Sequence, residues 1–136
     1  PPNLRCKYFA HAHETLLWAR KHTKIPHNFN YDLMREWDDK VAPQGKQMRS
    51  IWHIPLTPMS EKTHGKHPTQ KPIELLKRII SSSTNENAVI LDPFNGSGTT
   101  GVVATMLNRQ FIGIDKEEDF LKLTIKRINF LKNTKT

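Results

Sequence analysis

Three glycines and two aspartates carry the clearest chemical signal in this sequence. The glycines follow a short apolar run and satisfy the pattern G-x-G-x-x-G; they are Gly96, Gly98 and Gly101. Asp92 lies just before them, and Asp115 ends a second apolar run at roughly the 20-residue spacing expected of a carboxylate that accepts ribose hydroxyls. Glycine lets the backbone approach a ligand closely, and a following helix offers free N–H groups. The segment therefore predicts a site for a nucleotide-type cofactor.

The charge of Asp92 discriminates between such cofactors. A carboxylate at the mouth of a strand repels a pyrophosphate, whereas it attracts a cationic amino group. The phosphate-binding loop of nucleotide triphosphatases is excluded, because no G-K-[ST] follows the glycines. A ligand with an adenosine end and a cationic amino-acid end fits best, and S-adenosylmethionine is such a molecule. Two alternatives stay open: a nucleotide-cofactor oxidoreductase with the literal glycine fingerprint, and a glycine turn without a ligand.

The elements around these residues predict an α/β fold. Helical spacing begins at Pro72, and strand and helix patterns then alternate over residues 88–92, 99–107, 111–115 and 117–131. This β-α-β-α order implies a parallel pair of strands with a right-handed crossover. The face of the last helix expected to enter the core comprises Phe120, Leu121, Ile125, Ile128 and Leu131.

Two parallel strands are too few for a sheet that needs helices on both faces. We therefore expect further strands from the N-terminal half and from sequence beyond this chain. The apolar run at Leu16 to Trp18 predicts a strand centred on residues 14–19, and residues 51–54 predict another. Tyr31 to Trp37 predicts a short helix. Because the chain does not begin with methionine, we expect a fragment or a processed product.

The composition points to a polyanionic partner. A net charge of +8, from 21 Lys and Arg against 13 Asp and Glu, favours nucleic acid, with a basic solvated surface as the alternative. One cysteine, Cys6, excludes an intrachain disulfide and fits a reducing compartment. No apolar stretch approaches the ~18 residues of a membrane span, so no membrane association is expected. His11, His13, His22 and His27 lack cysteine partners or an H-E-x-x-H helix, so no metal site is expected.

Three motifs in order give a more specific signal. They are His67-Pro-Thr-Gln-Lys-Pro72, Asp92-Pro-Phe-Asn-Gly-Ser-Gly-Thr-Thr100 and Phe111-Ile-Gly-Ile-Asp115. Taken alone, the first is a polar lead-in to a helix from which Thr69 and Lys71 could reach a ligand. Together, and over essentially the whole chain, they resemble the C-terminal part of a permuted, β-class DNA amino-methyltransferase of restriction-modification systems.

The resemblance implies a Rossmann-like S-adenosylmethionine-dependent methyltransferase sheet, incomplete in this chain. It also implies methyl transfer to an exocyclic amine of DNA, with adenine N6 favoured over cytosine N4 because the histidine motif is similar to adenine-type members. The cofactor-binding residues that it implies are His67, Thr69, Lys71, Asp92, Phe94, Asn95, Gly96, Ser97, Gly98, Thr99 and Asp115. Asp115 would accept the ribose hydroxyls. The methionine part would be held by Asp92, Phe94, Gly96, Ser97 and Gly98, with Thr99 beside it at the helix start.

One departure from the family limits the expected activity. The family's catalytic motif, (Asp/Asn/Ser)-Pro-Pro-(Tyr/Phe), is absent, since Pro1-Pro2 is followed by Asn3-Leu4. We therefore expect no catalytic residue in this chain, no methyl transfer by the chain alone, and a partner in the N-terminal catalytic segment of the same enzyme. A catalytically inactive DNA-binding or regulatory remnant is the alternative.

The middle of the chain is the candidate for reading DNA. Enzymes that modify a base flip it out of the duplex, and basic side chains hold the phosphates. The candidates are Arg20, Lys21, Lys24, Lys40, Lys46 and Arg49. We divide the chain into a strand-bearing segment (1–20), a target-recognition region (21–66) and a cofactor-binding half (67–136). Double-stranded DNA is the expected partner, a homodimer is compatible with the resemblance, and the expected location is the bacterial cytoplasm.

Overall fold

The computed structural model describes residues 12–37, 44–65 and 67–134. Its regular elements, apart from a short 3-10 helix at Met59–Lys62, are helix α1 (Tyr31–Arg35), helix α2 (Ile73–Ser83), strand β1 (Val89–Asp92), helix α3 (Thr99–Met106), strand β2 (Gln110–Gly113) and helix α4 (Glu118–Thr134). The predicted helix at residues 31–37 and the alternating elements of the C-terminal half are confirmed, with ends that shift by a few residues.

The two strands form a parallel pair, as the element order predicts. Val89 is opposite Gln110, and Asp92 is opposite Gly113. Helix α3 connects the strands and packs against β2, because a methyl group on Gly101 would lie 2.6 Å from Cδ1 of Phe111. Three large apolar residues on the strands and one just after β2 are more than half exposed: Val89 (58%), Leu91 (59%), Ile112 (52%) and Ile114 (53%). One face of the sheet is thus open to solvent, as expected of an incomplete sheet.

The core lies between the helices on the covered side of the sheet. Its buried apolar residues are Met34, Ile80, Val102, Val103 and Ala104. Asn30 joins α1 to α2, since its side-chain amide donates to the carbonyls of Ser81 (2.7 Å) and Thr84 (2.9 Å). These bonds satisfy carbonyl groups that the end of α2 leaves without helical partners. Pro72 is the residue before α2 rather than its first residue.

The predicted strands of the N-terminal half are wrong. Residues 12–20 and 51–54 form no regular element. Leu17 is 93% exposed and Ile51 is 77% exposed, so neither apolar run enters the core. A short apolar run becomes a strand only when a neighbouring strand takes its backbone hydrogen bonds, and the described residues offer neither run such a neighbour.

The predicted core face of α4 is wrong in part. Ile125 is 58% exposed, whereas Thr124 and Arg127 are 5% exposed. The inward stripe therefore runs through Phe120, Thr124, Arg127 and Leu131, and it is polar at its centre. Among the described residues, the helices are too short or too polar to cross a membrane.

Candidate cofactor site

Residues 93–98, here called the glycine loop, connect β1 to α3. Asp92 shapes both ends of this connection, because Oδ1 accepts the N–H of Phe94 (3.0 Å) and Oδ2 accepts the hydroxyl of Thr100 (2.6 Å). Gly96 (φ 50°) and Gly98 (φ 72°) have left-handed backbone conformations, and Gly98 is the N-cap of α3. L-residues with a Cβ are strained there, so both turns need glycine.

Asp115 lies against the glycine loop from the end of the second strand. Its Oδ2 accepts the N–H of Gly96 (2.7 Å), and its Oδ1 accepts the N–H of Glu117 (3.0 Å). These backbone donors, Glu117 first and then Gly96, lower the pKa of Asp115 below its ordinary value of 3.8, with a smaller contribution from the charge of His67. The carboxylate is ionised near neutral pH, and each oxygen keeps a lone pair for a further donor.

His67 completes the same cluster from the opposite loop. A Cβ on Gly96 would lie 3.2 Å from Nε2 of His67, so the imidazole lies directly against the glycine loop. The ring packs edge-on against Phe120 of α4, with centroids 4.4 Å apart. Thr69 contacts His67 rather than the glycine loop, since its N–H donates to Nδ1 (3.2 Å) and its hydroxyl lies 3.3 Å from the same atom.

Part-buried polar contacts hold residues 63–65 and 67–72, here called the histidine loop, in place. The side-chain amide of Gln70 donates to the carbonyl of Glu61 (2.9 Å), and the hydroxyl of Thr57 donates to the carbonyl of Gln70 (2.6 Å). The Glu61 carboxylate accepts the N–H of Ile73 at the start of α2 (2.9 Å), where a negative charge also suits the helix dipole. The loop that carries His67 is therefore anchored by residues on both of its sides.

Two predicted cofactor contacts, Lys71 and Phe94, lie outside the cluster of His67 and Asp115. Lys71 forms an exposed ion pair with Glu14 (2.6 Å), and its ammonium group therefore faces the N-terminal segment. Phe94 is 90% exposed at the mouth of the loop. Asn95, Ser97 and Thr99 lie on the inner side and are buried. The structure thus brings His67, Asp115 and the glycine loop together, while Lys71 engages the N-terminal segment.

The arrangement is that of a carboxylate and a left-handed loop at the carboxyl edge of parallel strands, where nucleotide cofactors bind. A family model described as DNA methylase, for N6 and N4 methyltransferases, matches residues 1–126. This chain belongs to the DNA methylase family. The resemblance stated from the motifs, to the C-terminal part of a restriction-modification methyltransferase, is confirmed.

Curated relatives of this methylase chain are type II methyltransferases. M2.DpnII of Streptococcus pneumoniae is 58% identical over 128 residues, which are 93% of this chain and 46% of that protein. M2.MboI of Moraxella bovis is 53% identical over 127 residues, with 93% and 45% covered. The chain thus spans about half the length of these relatives. A solved structure described as an M1.HpyAVI–SAM complex aligns with a TM-score of 0.58 and 36% identity over 78% of this chain and 46% of that one. The predicted methyltransferase fold class is confirmed.

The basic residues predicted to read DNA occupy the surface of the methylase chain. Arg20, Lys21 and Lys24 are exposed, and the first two line an open groove of about 430 Å³ with Trp18, which is itself 63% exposed. The Trp18 ring contacts His27, with centroids 5.0 Å apart. Lys46 and Arg49 are also exposed, and Lys40 lies outside the described residues. Exposed cations around an aromatic ring are the chemistry that phosphate and base contacts use.

Three residues that contact the candidate site were missed from the sequence: Thr100, Thr124 and Arg127. Thr100 bonds to Asp92, as described above. Thr124 accepts the side-chain amide of Asn95 (2.7 Å), and Arg127 donates to the carbonyl of Ser97 (2.7 Å). The sequence signal for two of them was the spacing of Thr124 and Arg127, which share one helical face with Phe120 and Leu131.

Within residues 12–37, 44–65 and 67–134, no three His, Cys, Asp or Glu side chains cluster as a metal site would require.

Proposed function

We propose that this chain supplies the S-adenosylmethionine site of a bacterial DNA methyltransferase that methylates an exocyclic amine, with adenine N6 as the favoured acceptor. The observation that carries the proposal is the convergence of Asp115, His67 and the left-handed glycine loop at one edge of the sheet. Family membership and the name of the aligned M1.HpyAVI–SAM complex support it.

The residues at the site fit the chemistry of this cofactor. Asp115 is ionised near neutral pH and has lone pairs left, so it would accept the two ribose hydroxyls. Asp92 is partly exposed at the mouth of β1, and its charge would attract the cationic amino group. Gly96 and Gly98 allow the left-handed turns of the loop, and glycine lets a backbone approach a ligand closely. When bound, the cofactor supplies an activated methyl group on a sulfonium.

Other predicted cofactor contacts belong to the proposal as well. His67 would border the cofactor from its loop, with Thr69 fixing the ring. Phe94 is free to pack against a ligand because it is almost fully exposed. Lys71 would have to exchange its ion pair with Glu14, a pair whose side chains are 48% and 75% exposed and which therefore contributes little.

Methyl transfer needs an acceptor and a group that positions it. We propose that double-stranded DNA is bound by the basic surface of residues 21–66, together with Arg20, and that the target base is flipped toward the site. The catalytic motif is absent from the sequence, so a segment carrying that motif is a required partner; a homodimer is compatible with this arrangement. The proposed location is the bacterial cytoplasm.

Calorimetric titration of the chain with S-adenosylmethionine tests the cofactor assignment. We expect binding by the original chain and at least tenfold weaker binding by Asp115→Ala, because two ribose hydroxyls lose their charged acceptor. Asp119→Ala is the matched control, since this carboxylate is 94% exposed in the first turn of α4. A folded chain that binds NAD but not S-adenosylmethionine would support the oxidoreductase alternative and refute the proposal.

A chimera tests the transfer reaction. The chain replaces the matching part of M2.DpnII, and transfer of labelled methyl groups to duplex DNA is followed by nucleoside analysis. Labelled N6-methyladenine is the expected product, and N4-methylcytosine would correct the acceptor. Salt-dependent DNA binding with no methylation by the chimera would instead favour the inactive DNA-binding remnant.

A further inference from the structure

The geometry points to Arg127 of α4 as a positioning residue that holds the glycine loop in its cofactor-binding conformation. This inference rests on the proposed function, because it assigns Arg127 a role toward the ligand that the loop would bind. Neither the sequence motifs nor the family resemblance gives any role to α4 beyond packing.

Arg127 is buried and is directed at the loop backbone. It is 5% exposed, and its Nη1 donates to the carbonyl of Ser97 (2.7 Å) and lies 3.1 Å from the hydroxyl of Thr99. One guanidinium nitrogen thus bridges the last residues of the loop and the first residue of α3. The orientation of the peptide between Ser97 and Gly98 is set by this bond, and that peptide lies within the left-handed turn.

Thr124 supports the same loop one helical turn earlier. Its hydroxyl donates to the carbonyl of Phe120 (2.9 Å) and accepts the side-chain amide of Asn95 (2.7 Å). A Cβ on Gly98 would lie 2.6 Å from Cβ of Thr124, so helix and loop are in close contact. Helix α4 therefore contacts the loop through both a side-chain hydrogen bond and direct packing.

The same helix also supports the histidine loop. The Phe120 ring packs against His67, and Leu123 lies so close to Gly65 that an added Cβ would be 3.4 Å from its Cδ2 and nearer to its Cδ1. Because α4 contacts both loops of the site, it sets their separation. A ligand bound between the loops would then meet an arrangement that is already formed, which lowers the entropic cost of binding.

The charge of Arg127 argues against a purely stabilising role. Burial lowers the pKa of Arg127 below its ordinary value, with the charge of Glu61 opposing this in part, so the ionised form is desolvated at a cost. The guanidinium also lies at the N-terminal end of α3, where the helix dipole disfavours a cation. A methionine here would avoid this desolvation cost, but it would leave the buried Ser97 carbonyl without its donor and could not orient that group.

Arg127→Met removes the bond and keeps most of the side-chain volume. We expect S-adenosylmethionine to bind about tenfold more weakly or worse, measured by calorimetry at a temperature where circular dichroism shows a folded chain. Without ligand, amide hydrogen exchange of Gly96 and Gly98 should accelerate, since both N–H groups are hydrogen-bonded within the ordered loop. Arg127→Lys keeps one cation and should recover part of the affinity.

Arg109→Met is the matched control. Arg109 also donates from its guanidinium to backbone carbonyls, those of Leu107 and Thr84, away from the glycine loop. We expect this variant to lose stability while its affinity stays within about twofold of the original. A merely structural role for Arg127 predicts that both methionine variants change affinity to the same extent.

The outcomes separate the two proposals. Unchanged affinity and unchanged amide hydrogen exchange in folded Arg127→Met overturn the positioning role. If the original chain does not bind S-adenosylmethionine, the proposed function is refuted, and the amide hydrogen exchange of Gly96 and Gly98 alone then decides whether Arg127 positions the loop. If Arg127→Met does not fold, Arg127→Gln gives the decision, because it keeps a polar side chain but removes the guanidinium that donates to the Ser97 carbonyl. Arg127→Gln with unchanged affinity and exchange would then overturn the inference.

Discussion

Replacing Gly98 with alanine separates two reasons for a glycine at the base of the glycine loop. The first is conformation, because φ is 72° at this residue and a left-handed L-residue costs about 1–2 kcal/mol. The second is space, because the new Cβ would lie 2.6 Å from Cβ of Thr124 and closer still to its hydroxyl and methyl groups. Overpacking of this kind costs about 1–3 kcal/mol more.

Gly45→Ala isolates the conformational part. Gly45 has a similar φ of 83°, yet a Cβ there would meet nothing within 4 Å. We therefore expect urea denaturation to show that Gly98→Ala lowers the free energy of unfolding by about 2–5 kcal/mol, and Gly45→Ala by about 1–2 kcal/mol. Affinity for S-adenosylmethionine should fall only for Gly98→Ala, because only that residue belongs to the loop.

A double-mutant cycle identifies the source of the difference. Thr124→Gly removes the Cβ that the new methyl group would overlap, at a cost of about 1 kcal/mol for a glycine within a helix and about 1–3 kcal/mol for the lost acceptor of the Asn95 amide. In that background, Gly98→Ala should cost no more than Gly45→Ala does. If the two glycine variants cost the same in the original chain, or if the cost of Gly98→Ala is unchanged beside Thr124→Gly, the steric argument is refuted.

Three further changes test other parts of the fold. The pKa of Asp115 is lowered from 3.8 in the folded chain, so its stabilising contribution is present above that pH and is lost as the pH falls through the folded pKa. Urea titrations should therefore show that the difference in free energy of unfolding between the original chain and Asp115→Ala closes below pH 3.8. A difference that stays constant with pH would contradict this. Gly101→Ala should lower the free energy of unfolding by about 1–3 kcal/mol, because the new methyl group crowds Phe111. Phe111→Leu should restore part of this loss, since the leucine side chain is smaller and has no ring. A neutral effect of Gly101→Ala in thermal unfolding would disprove the close packing. Asn30→Ala should cost about 1–2 kcal/mol through the lost cap at the end of α2, and an unchanged urea midpoint would show that water replaces it.

The C-terminal half was predictable because its signals are local. The apolar run before Asp92, the glycines and the helical spacing that follows each specify a short stretch of backbone, and they alternate in an order that allows few topologies. The contact between Asp115 and Gly96 was also within reach, since the carboxyl ends of parallel strands meet at one edge. The run at Leu16 to Trp18 has the same local pattern as a strand, but strand formation depends on a neighbour that the run itself does not encode.

The inward stripe of α4 shows why a hydrophobic pattern alone misplaced part of the site. That pattern assigns polar residues to solvent, so it selected Ile125 and passed over Thr124 and Arg127. The surface opposite α4 is not another apolar face, however; it is a left-handed loop whose backbone groups point inward and need partners. A helix that packs on such a loop must present donors and acceptors at its centre and apolar residues at its ends, which is the order of Phe120, Thr124, Arg127 and Leu131. Polar residues on the inner stripe of a helix that follows a glycine-rich turn are therefore better interpreted as candidate partners of that turn than as breaks in the core pattern.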